Sequence, residues 1–112
     1  MKIKNFKDVK PEDVGDFGEN TSIRWLISKG DGAENFAMRY FVIEKGGFIK
    51  IHEHPWEHEI FVVKGRGQVG SEKKLVEVKK GDFLFVPGNE PHQYVNKTDE
   101  NFEFICIIPI EK

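Results

Sequence analysis

Imidazole is the side chain with the most chemical scope in this sequence, and its four copies are unevenly placed. His52, His54 and His58 fall together in His-Glu-His-Pro-Trp-Glu-His-Glu, while His92 closes a separate turn, Pro-Gly-Asn-Glu-Pro-His. On a strand, side chains two positions apart share a face, so His52 and His54 would project together with Cβ atoms roughly 6.5–7 Å apart. Two imidazoles at that spacing can converge on one ion, because zinc–nitrogen bonds are only about 2.0–2.1 Å long. His54 and His58 would also share a helix face, but Pro55 and the following Ile60-Phe61-Val62-Val63 favour strand over helix. His-x-His alone is also compatible with surface or core histidines. His58, His92 and the flanking turns raise the case for a metal site.

The elements that must carry these residues read as short strands. Strand-like text runs over 23–28, 36–44, 48–54, 59–64, 67–71, 75–78, 83–86, 93–96 and 102–108, with turn residues such as Gly65-Arg66-Gly67, Gly81-Asp82 and Pro87-Gly88-Asn89 between them. Such spacing predicts an all-β sandwich or barrel in a single domain. Residues 1–22 are mixed and charged and are expected to form an N-terminal arm packing on a barrel of residues 23–112. In Phe102–Ile108, alternation about Glu103 turns that carboxylate outward and places Phe104, Cys106 and Ile108 inside as pocket candidates. Trp56 is placed as a lid or a cap at the barrel mouth. Tyr94 is either rim packing or a proton donor. Lys50 should face inward by alternation from His52, unless it sits at the mouth or a bulge resets the register. The stretches EIFVV (59–63) and FEFICII (102–108) are apolar on both faces, which predicts a homodimer covering one sheet, the alternative cover being the arm.

Two spaced motifs carry a family resemblance. Gly46, His52-Glu53-His54 and Glu59, followed by Gly81, Pro87, His92 and Asn96, resemble the two motifs of the cupin superfamily. Asn89 stands where that pattern often has Gly, and the Gly after the acidic residue is shifted to Gly65 and Gly67. The resemblance implies a double-stranded β-helix, or jelly-roll barrel, lined by apolar residues. Many cupins bind metal with three histidines and a glutamate, which would select His52, His54, Glu59 and His92. The stretch Pro-Trp-Glu-His-Glu-Ile-Phe is also similar to small single-domain cupins whose manganese is held by four histidines, which would select His52, His54, His58 and His92. Strand parity separates His58 from Glu59, and the inward side continuing through Ile60 and Val62 favours His58 as ligand with Glu59 in support.

The expected cofactor is therefore a divalent metal, manganese preferred, with iron, nickel, copper or zinc compatible with imidazole donors. Four neutral ligands leave the ion's full charge and, in octahedral coordination, two open positions, which suits an anionic or chelating small molecule. The expected function is a metal-dependent, dioxygenase-like oxidoreductase acting on a small organic molecule. A non-catalytic ligand-binding cupin, a metal-dependent isomerase and a closed structural zinc site are the alternatives. A net charge of −2 and pI near 6.1 offer no broad field for nucleic acid. The lysine pairs at 73–74 and 79–80 read as a solvated hairpin face. No apolar run reaches the length of a membrane span. A single cysteine rules out an internal disulfide and thiolate-rich zinc sites, and the polar first residues lack an export signal, so a cytoplasmic location is expected.

Overall fold

A computed structural model describes residues 1–111 as a nearly all-β domain without α-helix among them. Nine strands follow in chain order: β1 (Glu12–Asp13), β2 (Gly18–Ile27), β3 (Phe36–His52), β4 (His58–Lys64), β5 (Arg66–Gly70), β6 (Leu75–Lys79), β7 (Phe83–Val86), β8 (His92–Val95) and β9 (Phe102–Pro109). All pairings are antiparallel, in the order β6-β5-β8-β3-β9-β4-β7, with β2 added to β3 and β1 to β2.

The two halves of this jelly roll are joined by β3, which is 17 residues long. Its first part, Phe36 to Ile43, pairs with β9, and its last part, Phe48 to His52, pairs with β8. The sequence reading expects a break at Gly46-Gly47. The chain instead bends there without leaving the sheet, because Gly46 takes φ +74, a backbone state open to glycine. Strand β2 likewise begins earlier than its apolar text suggests, since Gly18 and Glu19 pair with Ile49 and Phe48.

Inward residues of both halves meet in one core around Ile43, Val62, Phe102, Phe104 and Cys106, all almost fully buried. Phe104 stacks between Phe41 and Tyr94, with ring centroids 5.1 and 5.2 Å away. Burying each such aromatic side chain stabilises the fold by about 1.5–3 kcal/mol.

Glu103 points to the outer face, as alternation predicts, yet it is buried. Its Oε1 accepts a 2.6 Å hydrogen bond from Tyr40 Oη, and Phe6 of the N-terminal segment stacks on Tyr40 at 4.3 Å. Arg24 ties the same segment down by donating to the Val9 carbonyl. This segment covers only part of the outer surface. Phe61, Phe83 and Phe85 on β4 and β7 stay half or more exposed and flank a groove with Ile105 and Ile107.

Candidate metal centre

A β-bulge aims the first histidine. Ile49 pairs with Tyr94 and His52 with His92, so β3 spends one residue more than β8 between these pairs. The extra residue lets Ile49 and His52 both face the interior and puts Lys50 on the surface. This is the resetting that the misfit of Lys50 raised as an option. The same bulge presents the Lys50 carbonyl to His52 Nδ1 at 2.7 Å.

Strand β3 ends at His52, so His54 belongs to the following loop and not to the strand that the sequence reading extended to it. Pro55, which has no N–H to give a ladder, follows directly. The turn before His92 packs on this loop. Asn89 N–H donates to the His54 carbonyl at 2.6 Å, and a Cβ on Gly88 would lie 2.6 Å from the Pro55 oxygen. Asn89 itself sits at φ +66, a conformation that asparagine tolerates better than most residues.

The four imidazoles meet at one end of the barrel interior. Ring centroids lie 4.4 Å apart for His52–His92, 4.6 for His52–His54, 4.7 for His54–His58, 5.0 for His58–His92 and 5.4 for His54–His92. One ring nitrogen from each of His52, His54 and His92 lies within 4.8 Å of the other two; His58 is outside that group of three, its ring next to those of His54 and His92. Glu59 points the other way: it is exposed and lines the outer groove with Phe61 and Phe85, so it neither joins nor supports the histidines. The cause is the parity of β4, whose inward side runs His58, Ile60, Val62.

Hydrogen bonds select the nitrogen that each ring offers. His92 Nδ1 donates to the Glu90 carbonyl at 2.8 Å and His52 Nδ1 to Lys50, leaving each Nε2 with a free lone pair. Nε2 of His92 and Nε2 of His58 are buried and have no hydrogen-bond partner. Orphaned buried nitrogens of this kind are rare, because each carries an uncompensated desolvation cost. Convergent neutral imidazoles with unused Nε2 atoms fit a borderline transition-metal cation.

Protonation states agree with that fit. Burial, reinforced by the Arg39 charge, pulls the His58 pKa down to about 3. Burial also lowers His92 and His54, with further lowering by neighbouring imidazoles. At neutral pH these rings are therefore uncharged and able to donate lone pairs. Burial raises the Cys106 thiol and the Tyr94 phenol, so both keep their protons.

A cavity of about 350 Å³ opens beside the histidines. His52, His54 and His58 form one wall, and Trp25, Phe41, Ile49, Tyr94, Phe104 and Cys106 supply much of the rest. Phe104 and Cys106 thus line it as anticipated. Ile108 packs against the core cluster instead, and Trp56 stacks on His54 at 4.7 Å with part of its ring in solvent. Val14 and Phe17 close the mouth, Phe17 edge-on to His52.

Arg39 escapes the sequence reading. It reaches the back of His58, with Nη2 3.3 Å from Nδ1, and donates to Cys106 Sγ at 3.0 Å. Its signal was present: it is the lone charge in Phe36–Ile43 and shares parity with the inward Phe41 and Ile43.

Residues 39–108 match the Cupin domain family model. Among curated proteins, the 1-methylthio-D-xylulose 5-phosphate methylsulfurylase of Rhodospirillum rubrum is 28% identical over 89 residues, covering 80% of this chain and 56% of that protein. The oxalate-binding protein of Thermotoga maritima is 31% identical over 64 residues, covering 56% of this chain and 53% of its own. The chain thus spans about half the length of the curated relatives it matches. Among solved structures, the polyketide cyclase RemF from Streptomyces resistomycificus superposes with a TM-score of 0.94 at 33% identity, over 99% of this chain and 80% of that one. A predicted oxalate decarboxylase from Thermotoga maritima shares the fold, with a TM-score of 0.85 at 22% identity over 98% of this chain and 100% of that one.

Proposed function

The chain belongs to the cupin domain family, and on that premise we propose that it is a metal-dependent enzyme of small-molecule chemistry, with His52, His54, His58 and His92 holding one divalent ion. The observation that carries this reading is the pair of buried, unpartnered Nε2 atoms on His58 and His92 beside an open cavity. Manganese is the preferred ion on the four-imidazole donor set, ahead of iron, nickel, copper and zinc. Such an ion, when bound, supplies Lewis-acid polarisation of a ligand oxygen and, if redox-active, electron transfer.

The protein's own part is positional. The Lys50 and Glu90 carbonyls hold two imidazoles in one tautomer, and Cys106 Sγ, 3.1 Å from His58 Nδ1, stands behind the third. Phe41, Phe104 and Trp25 exclude water from the ligand's body. Similarity to a polyketide cyclase along nearly the whole chain supports a non-oxidative reaction, a cyclisation or isomerisation of an enolisable carbonyl compound. The dioxygenase-like oxidoreductase anticipated from the open ligand positions is the second reading. The cavity beside the histidines argues against a closed structural zinc site.

The test is elemental analysis of protein purified without added metal, followed by assays of enolisable acids and ketones with and without dioxygen. Metal-dependent turnover that persists without oxygen supports the first reading, and turnover that consumes oxygen supports the second. Tight binding without turnover identifies a ligand-binding cupin. Failure to retain any divalent ion sinks the whole proposal.

We also propose a homodimer through the outer face of β4 and β7, where Phe61, Phe83 and Phe85 present a contiguous apolar surface that the N-terminal segment leaves uncovered. The buried free thiol of Cys106 suits a reducing compartment, and we place the protein in the cytoplasm. Among the described residues no helix is long and apolar enough to cross a membrane.

A further inference from the structure

Arg39 is an unusual cation for its surroundings. Its guanidinium lies over Phe41 at 5.0 Å and over Trp25 at 5.5 Å, in the wall of the cavity. Its Nε is buried with no hydrogen-bond partner, and among the described residues no carboxylate forms an ion pair with it. Its named polar neighbours are Cys106 Sγ and His58 Nδ1, neither of them a carboxylate. Glu12 and Asp13 line the mouth, but both are exposed, and Asp13 is engaged with the Gly15 amide.

A half-buried charge without a counterion is poorly compensated, and a buried, unused N–H adds a cost. Both costs are relieved if an anion enters the cavity and accepts from the guanidinium N–H edge that Cys106 and His58 leave unused. The walls define the rest of the ligand. Phe41, Phe104 and Tyr94 form a near-parallel stack, with interplanar angles of 19° and 18° between neighbours, that lines the cavity with apolar surface. A cavity of roughly 150 Å³ admits benzene, so one of about 350 Å³ has room for about two fused rings.

We propose that Arg39 is the anion anchor of this cavity and that the ligand is a planar, conjugated organic anion of one or two rings, its carboxylate, enolate or phenolate oxygen held by the guanidinium and its body in the apolar space lined by Trp25 and the Phe41–Phe104–Tyr94 stack. This deepens the functional reading above and rests on it for the site, though the anchor itself needs no metal. Arg39 supplies specificity: a neutral ligand of the same shape leaves the guanidinium unpaired and binds more weakly. The planar fork suits two oxygens at once, which a lysine ammonium cannot reproduce.

The probe is 1-hydroxy-2-naphthoate, with its neutral amide as control, titrated by fluorescence into the full chain with and without manganese. The wild-type protein should prefer the acid over the amide by about 10- to 100-fold, in keeping with a hydrogen-bonded charge. In Arg39→Gln that preference, read in the metal-free protein so that any change at His58 does not enter, should vanish through loss of acid affinity with amide affinity unchanged. Arg39→Lys should retain only part of it. Equal binding of acid and amide by the wild type overturns the proposal without recourse to any variant. So does no binding of either probe, or an unchanged preference in Arg39→Gln. A wild-type protein that prefers the acid in the absence of manganese but takes up no metal would uphold the anchor and defeat the metal reading, so the two failures are distinguishable.

Discussion

His52 and His92 stand opposite each other across the β3–β8 ladder, with ring centroids 4.4 Å apart. One comes from the first histidine cluster and the other from a distant turn, and each is oriented by a backbone carbonyl two residues before it. This cross-strand pair is the hinge of the candidate site, since His54 and His58 gather around it from the loop and from β4. Four predictions test the arrangement, and a fifth tests the outer surface.

Removing either member of the pair should abolish stoichiometric metal retention. His52→Ala and His92→Ala are each expected to weaken manganese binding by well over tenfold, since loss of a mere supporting hydrogen bond already costs about 10–100-fold at metal sites. Elemental analysis and calorimetric titration read the change, and circular dichroism verifies that the sheet persists.

The bulge makes a sharper demand. Deleting Ile51 makes the count between the two pairs equal on both strands, so plain alternation keeps His52 on the inward face of Ile49, but it removes the bulge that presents the Lys50 carbonyl to His52 Nδ1. Metal affinity should fall by about 10–100-fold, the cost of a lost supporting hydrogen bond at a metal site, and by less than in His52→Ala. A deletion variant that binds manganese like the parent would show that the bulge does not orient the site.

Asn89 carries the turn before His92 at positive φ. Asn89→Ala should destabilise the protein by about 1 kcal/mol, the lower end of the cost of a left-handed Cβ. Asn89→Gly should come within a few tenths of the parent. Urea unfolding of the metal-free protein measures both, and a larger loss in the glycine variant would contradict the conformational argument.

Acid should destabilise the metal-free protein well before carboxylates titrate. His58 is held at about 3 in the folded state and returns to near 6.5 when unfolded, so between those values the unfolded chain binds the extra proton. Stability therefore rises with pH across that window and is lost as pH falls from about 6.5 towards 3. His54 and His92, both lowered, add to the slope in the same sense. Each imidazole contributes at most about 1.4 kcal/mol per pH unit. Denaturant midpoints measured between pH 7.5 and 4 should shift accordingly, and His58→Gln should flatten the slope. A slope unaffected by that substitution would remove His58 from the account.

The outer face of β4 and β7 is tested by charge. Phe83, the most exposed of its three phenylalanines, tolerates Asp without disturbing the core. Phe83→Asp should convert a dimer into a monomer by light scattering while leaving metal content unchanged. A parent protein that is monomeric at all concentrations removes the dimer.

The residues differ in how much of their role local text can reveal. The all-β class, most strand positions and the gathering of His52, His54, His58 and His92 were legible in the amino-acid sequence, because turn residues, alternation and motif spacing are local properties. The opposition of His58 and Glu59 was legible for the same reason: parity on a single strand needs no partner.

What remained hidden depended on other parts of the chain. Lys50 looked misplaced because a bulge is a mismatch between two strands, and only the pairing of β3 with β8 shows on which strand the extra residue falls. Glu103 read as solvent-facing because nothing in its own strand indicates that Tyr40 and Phe6 cover it. Arg39 announced an inward charge by parity, but its proximity to His58 and Cys106 arises where β3, β4 and β9 lie side by side. Alternation says which way a side chain points along its own strand. What it meets there is decided by register, bulges and closure, which are set by contacts between segments far apart in the chain.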